Sequence, residues 1–203
     1  MGTKFGNLHV KTAELNEVVE ALKDIVEGRG RPATSSTALS GLEAILHQVE
    51  LGRNVYYIGQ LQPGWVSILN DSFGWGEVEA FGEELSSYLA SPVLTVSYFD
   101  DDLFEMNLYA NGGRLTGQIW CSGETRDVYE LDDEVADCSI LTEYLGHQHA
   151  GAIASWLETE DCEEAVEQLQ EMLRIPLWIH SDWFSDMDDE VLKGKYAKYD
   201  LNR

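Results

Sequence analysis

Twice along this chain an alternating run leads into an apolar stripe at helical spacing, and then into paired β-like runs joined by a turn. The first pass is a strand at 7–11, a helix with Leu15, Val18, Val19, Leu22, Ile25 and Val26 on one face, and a hairpin at 55–69. The second reuses the strand at 65–69, continues through a helix at 76–89 carrying Val78, Phe81, Leu85, Tyr88 and Leu89, and ends in a hairpin at 93–109. A repeated strand–helix–hairpin order predicts an α+β fold: a mixed, largely antiparallel sheet with helices on one face.

Local signals fill in the rest. Thr12 is the expected N-cap of the first helix and Gly28 its stop; residues 29–36 read as a loop, followed by a second helix with Leu39, Leu42, Ile45, Leu46 and Val49 on one face. Asp71 or Ser72 is expected to cap the helix at 76–89. Asn111-Gly112-Gly113 is a strong hairpin turn between strands at 103–109 and 114–121. Beyond residue 122 the pattern becomes helical, at 135–145, 150–157 and 161–173, with 176–179 as a last strand and 193–203 as an exposed tail. The expected division is a sheet portion at 1–122 and a mainly helical acidic portion at 123–203 packed on it.

Charge narrows the function classes. The net charge is −24, and it is unevenly placed: residues 1–60 hold 6 Lys and Arg against 7 Asp and Glu, whereas residues 61–203 hold 7 against 30. Solubility alone is served by a net charge of roughly 2–8 on a small domain. Nucleic acid is an unsuitable direct partner, because phosphate binding needs a basic footprint. The 44% hydrophobic and 10% aromatic content supports a packed core rather than an acidic disordered tail. No apolar run of membrane-spanning length occurs, residues 1–7 lack a signal-peptide core, and Gly6 breaks the myristoylation pattern. Cys121, Cys138 and Cys162 are an odd, widely spaced set, which predicts free thiols and a cytoplasmic protein.

Gly6-Asn7-Leu8-His9-Val10-Lys11-Thr12, Gly64-Trp65-Val66-Ser67-Ile68-Leu69-Asn70-Asp71 and the run from Pro92 through Val93-Leu94-Thr95-Val96-Ser97-Tyr98-Phe99 to Asp100-Asp101-Asp102 together resemble a group of uncharacterised bacterial proteins over residues 1–120. That resemblance implies a bacterial cytoplasmic protein. It carries over no activity and no catalytic residue.

Candidate sites are few. Asp100, Asp101, Asp102 and Glu105 cluster after a strand, where carboxylates suit a hard cation, although Asp is also an ordinary turn residue. The helix at 158–173 sets Cys162, Ala165, Val166, Leu169 and Leu173 against Glu160, Glu163, Glu164, Glu167 and Glu171, with no Lys at i+4 to relieve the repulsion. Asp182, Trp183 and Asp186 combine an aromatic with acids in the manner of a protein interface. His147, His149, His180, Cys138 and Cys162 lack the spacing of a zinc site. Phe73-Gly74-Trp75-Gly76 precedes a helix without a Walker Lys, and no Gly-x-Ser-x-Gly elbow occurs.

Three functions follow from these residues. The first is a non-enzymatic, cofactor-free binding protein whose acidic surface engages or inhibits a basic protein, as immunity proteins and nucleic-acid mimics do. The second is a metal-dependent enzyme built on Asp100, Asp102 and Glu105. The third is a sensor with an aromatic pocket formed by Tyr56, Trp65, Trp75 and Trp120.

Overall fold

The computed structural model describes residues 2–28 and 54–201. The loop expected at 29–36 and the helix expected around 39–49 lie outside the described residues. The chain forms β1 (Lys4–Val10), α1 (Leu15–Val26), β2 (Val55–Gln62), β3 (Trp65–Asn70), α2 (Glu77–Ser86), β4 (Val93–Phe99), β5 (Leu103–Ala110) and β6 (Gly113–Cys121). It continues as α3 (Gly123–Val128), α4 (Cys138–Leu145), a 3₁₀ turn (His147–His149), α5 (Ala150–Leu157), α6 (Cys162–Leu173), a second 3₁₀ turn (Ser181–Ser185), α7 (Glu190–Lys193) and β7 (Ala197–Asp200).

The fold is α+β, with one seven-stranded sheet in the order β6-β5-β4-β1-β3-β2-β7 and every pairing antiparallel. Because β3 lies antiparallel between β1 and β2, those two run parallel and α1 lies on the connection between them. By the same reasoning β3 and β4 run parallel on either side of β1, joined through α2. The repeat seen in the sequence is therefore a pair of interlocked split β-α-β units, the ferredoxin-like order β4-β1-β3-β2. Hairpins extend that core by β5 and β6 on one side, and β7 extends it on the other.

Both faces of the sheet are covered. On one face Val18, Val19 and Leu22 of α1 and Val78 and Leu85 of α2 pack on Leu8, Val10, Ile58, Val66 and Ile68. On the other, Leu141 and Leu145 of α4, Ile153 and Trp156 of α5, and Ala165, Val166 and Leu169 of α6 pack on Leu94, Val96, Phe104, Met106 and Trp120. Lys11 reaches across to donate from Nζ to the Tyr144 carbonyl near the C-terminal end of α4. Central strands buried on both faces lose polar alternation, and β3 and β4 are accordingly almost continuous apolar or small-residue runs.

Several local expectations are corrected by the observed hydrogen bonds. Thr12 does not cap α1; its Oγ1 accepts from the Glu14 amide, and Glu14 holds the N-cap position. Neither Asp71 nor Ser72 caps α2. Asp71 Oδ1 accepts from Ser181 Oγ at 2.6 Å, and α2 instead starts at Gly76, whose N–H donates to Glu79 Oε2 at 2.6 Å. Residues 176–179 form no strand: Leu177 and Ile179 are buried, but their carbonyls accept from the Asn7 side chain rather than from a neighbouring strand. The expected exposed tail contains β7, which pairs with β2 and so covers the edge β2 would otherwise present.

Turn chemistry follows from residue type. Asn111 and Gly112 both adopt positive φ, 53° and 74°, as a two-residue type I′ hairpin requires. Asp100 and Asp101 do the same at 55° and 62°, a conformation Asp tolerates better than most residues. At Gly82 the requirement is space, since a Cβ there would meet Thr95 Cγ2 at 2.2 Å. Gly82→Ala is expected to push α2 off β4 and cost about 2–3 kcal/mol, measured by urea unfolding. Wild-type stability in that variant would show that α2 does not sit as tightly on β4 as its backbone places it.

Candidate functional site

The N-terminus of α6 is capped by Asp161, whose Oδ1 accepts from the Glu164 amide at 2.8 Å. Ala165, Val166, Leu169 and Leu173 point into the core, and that phase forces Glu163, Glu164, Glu167 and Glu171 outward, all exposed. The β4–β5 turn abuts this helix: Cys162 Sγ lies 3.7 Å from the Asp101 carbonyl oxygen and 3.8 Å from the Tyr98 hydroxyl. Asp101 and Asp102 therefore continue the acidic surface of α6.

Few cations neutralise it. Asp100 pairs with Lys4 Nζ at 3.2 Å and accepts from the Gly2 amide, while Asp101 Oδ1 accepts from the Thr3 amide at 3.0 Å. Arg114 pairs with Glu134 at 2.7 Å, and Arg126 with Asp133 at 3.8 Å and the Ile119 carbonyl. Arg174 closes the C-terminal end of α6 in left-handed geometry, its N–H donating to Gln170 O. Among the described residues no Lys or Arg pairs with Glu163, Glu164, Glu167 or Glu171.

The other expected residues go elsewhere. Glu160 lines an open cleft of about 390 Å³ with Trp120, Cys121 and Arg126. Asp182, within the second 3₁₀ turn, and Asp186, just after it, are exposed, with Asp182 3.6 Å from His180 Nδ1. Trp183 is half-buried, packed edge-on against Phe5 with centroids 6.2 Å apart, rather than presented outward. Glu105 leaves the acidic turn altogether, because it faces the opposite side of the sheet, under α2.

That opposite side holds a constellation the sequence reading missed. Ser97 of β4 and Glu105 of β5 are register partners, and Glu79 of α2 lies over them. Glu79 accepts from Ser97 Oγ and from the Gly76 amide, while Glu105 accepts from Trp75 Nε1 and Asn107 Nδ2, both at 2.7 Å. Arg114 Nε donates on to Asn107 Oδ1. Burial, then the Glu105 charge, pushes the Glu79 carboxyl up to about 7, although the hydrogen bonds it accepts from Ser97, its own amide and Gly76 pull the other way. At neutral pH the Glu79 carboxyl is thus partly protonated, held up by burial and by its carboxylate neighbour. The visible signal was the alternation Thr95, Ser97 and Glu105, Asn107 on facing strands, a polar stripe on one face.

A second buried network has the outline of a nucleophilic triad. Ser67 Oγ is 2.8 Å from His9 Nδ1, and His9 Nε2 is 2.7 Å from Asn7 Oδ1. Asn7 Nδ2 donates to the Leu177 and Ile179 carbonyls, which fixes Oδ1 as the acceptor and so assigns the His9 proton to Nε2. All three side chains are 0% exposed, so no substrate meets Ser67. Burial drops His9 to about 3, and the network holds the ring neutral. It clamps the C-terminal segment to β1.

Among the described residues no three His, Cys, Asp or Glu side chains converge as a metal site. Asp100 turns toward Lys4 and Glu105 toward Trp75, so the carboxylate trio expected of a metal enzyme does not assemble. Cys121 and Cys162 are free thiols, each pushed up by burial. The four aromatics expected of a sensor are dispersed: Tyr56 packs on Phe81, Trp65 lies in the core on the other face, Trp75 meets Phe99, and Trp120 stacks between Phe104 and Trp156. No helix among the described residues is long and apolar enough to cross a membrane. No family model, curated protein or solved structure matches this chain.

Proposed function

We propose that this chain is a non-enzymatic binding protein that uses the exposed face of α6 and the adjoining β4–β5 turn to engage a basic protein. The observation that carries the reading is the run Glu163, Glu164, Glu167 and Glu171, exposed and without ion pairs among the described residues, beside Asp101 and Asp102. Like charges at i,i+4 destabilise a helix by a few tenths of a kcal/mol per pair. A cationic partner relieves that repulsion and is steered in by the same field.

The test separates a localised surface from mere net charge. The quadruple variant Glu163→Gln, Glu164→Gln, Glu167→Gln, Glu171→Gln is compared with Glu14→Gln, Glu17→Gln, Glu20→Gln, Glu83→Gln, which removes the same charge from exposed positions on the α1 and α2 side. Affinity for a basic probe, a nine-arginine peptide, is read by fluorescence anisotropy at low and moderate salt. The α6 variant is expected to weaken binding at least tenfold, by about 1.4 kcal/mol, with an unchanged or higher Tm. Equal weakening by the two variants would mean that the peptide reads total charge and that α6 has no special part.

A further inference from the structure

Resting on that reading, we propose that the aromatic trio Trp75, Phe99 and Tyr129 is the anchor that seats an arginine or lysine side chain of the basic protein partner. The Trp75 centroid lies 5.3 Å from Phe99 and 5.4 Å from Tyr129, and Phe99 and Tyr129 are 6.3 Å apart. Tyr129 stands at 84° to the indole and 89° to Phe99. The indole is held from behind by its N–H bond to Glu105 at 2.7 Å. A fixed trio is a low-entropy anchor, since its rings need not be ordered when a partner arrives.

The patch is presented outward. Tyr129 is 43% exposed and the adjacent Val128 is 70% exposed, the C-cap and last residue of α3. Carboxylates surround the rings in the chain: Asp127 and Glu130 flank Tyr129, Glu77 follows Trp75, and Asp100, Asp101 and Asp102 follow Phe99. Aromatic faces carry negative potential, and carboxylates deepen it. The chemical complement of such a patch is a cation with a flat or aliphatic body, which describes Arg and Lys.

The chain already seats one. Lys4 Nζ lies 3.9 Å from the Phe99 ring centroid and 3.2 Å from Asp100 Oδ1, a cation held between a ring and a carboxylate of this same patch. Among the described residues no Lys or Arg sits over the Tyr129 ring. Phe99 runs directly into the turn that abuts α6, so that turn links the aromatic anchor on the α2 side of the sheet to the acidic helix on the other side. A buried-edged aromatic beside a broad charged field is the usual division between a hot spot and its steering surround.

The full chain is titrated with the nine-arginine peptide and with its uncharged citrulline counterpart. Tyr129→Ala is expected to weaken arginine-peptide binding about tenfold and Tyr129→Phe to keep it within about twofold, as ring-face attraction requires. The Trp75 indole N–H resonance, assigned with Trp75→Phe, is expected to shift with the arginine peptide and stay still with citrulline; a shift survives as evidence even where a variant folds poorly. Wild-type affinity in Tyr129→Ala with a stationary Trp75 resonance overturns the anchor, and if the α6 variant still binds weakly the acidic-surface reading stands without it. No binding by the wild-type chain at low salt removes both.

Discussion

Replacing Asn7 by Ala lowers the stability of this protein by about 3–4 kcal/mol, the sum expected when one buried amide leaves several polar partners unmet. Asn7 is 0% exposed and serves three of them: it accepts from His9 Nε2 and donates to the carbonyls of Leu177, at 2.7 Å, and Ile179, at 3.1 Å. Alanine restores none of these bonds. The loss also has a location. Segment 175–187 rests on β1 and β3 through Leu177, Ile179 and Phe184, and Asn7 is its polar fastening. Urea unfolding gives the magnitude, and amide exchange should show residues 175–187 opening before the sheet core. A loss below about 1 kcal/mol, the net value of a single ordinary hydrogen bond, would mean that the segment is held by its apolar contacts alone.

The second large effect is a pH dependence in which the buried His9 and the half-buried Glu79 act in opposite directions. Glu79 has a folded value near 7 against an ordinary 4.5, so the folded state binds the proton more tightly than the unfolded chain. Its contribution is complete below about pH 4.5 and is lost as pH rises to about 7. His9, at about 3 against an ordinary 6.5, is the reverse. Its contribution is complete above about pH 6.5 and is lost as pH falls toward 3. Between pH 4.5 and 6.5 the two slopes oppose and largely offset each other.

Glu79→Gln keeps the neutral shape and removes the proton linkage. Relative to wild type its stability is expected to rise by about 2–3 kcal/mol between pH 4.5 and 8, somewhat less than the full shift implies, because Glu79 is only half-buried at the surface. His9→Gln should have the opposite profile, gaining on wild type as pH falls from 6.5 to 3.5. Urea midpoints at pH 3.5, 5.5 and 8 for the three proteins decide it. A Glu79→Gln difference that does not change with pH would place the Glu79 carboxyl in ordinary solvent and dissolve the pairing with Glu105.

Much of this fold was legible because its signals are local. The Asn111-Gly112 turn needs positive φ at adjacent residues, and few dipeptides accept that. The apolar stripe of α6 names its buried face without reference to any other element. What escaped depended on partners far away in the chain. Residues 176–179 have the composition of a strand, yet Asn7 satisfies two of their carbonyls from 170 and 172 positions away and keeps them irregular. Lys198 and its neighbours look like a solvated tail until β2 offers them an open edge. Glu79 reads as a first-turn acid favoured by the helix dipole, and it does bond its own N-cap, but α2 then carries it over Ser97 and beside Glu105.

The sequence by itself determined the interlocking strand–helix–hairpin order, the all-round acidity of residues 61–203 and the outward phase of the glutamates on α6, because periodicity and charge are properties of neighbouring residues. Tertiary structure decided which carboxylates stay solvated and which are buried. Sheet register puts Glu105 across from Ser97 and beneath Glu79, while the turn only a few residues earlier faces α6 and water. Strand side chains alternate between faces, so residues adjacent in a turn and its strand can end in environments that share nothing but the chain between them.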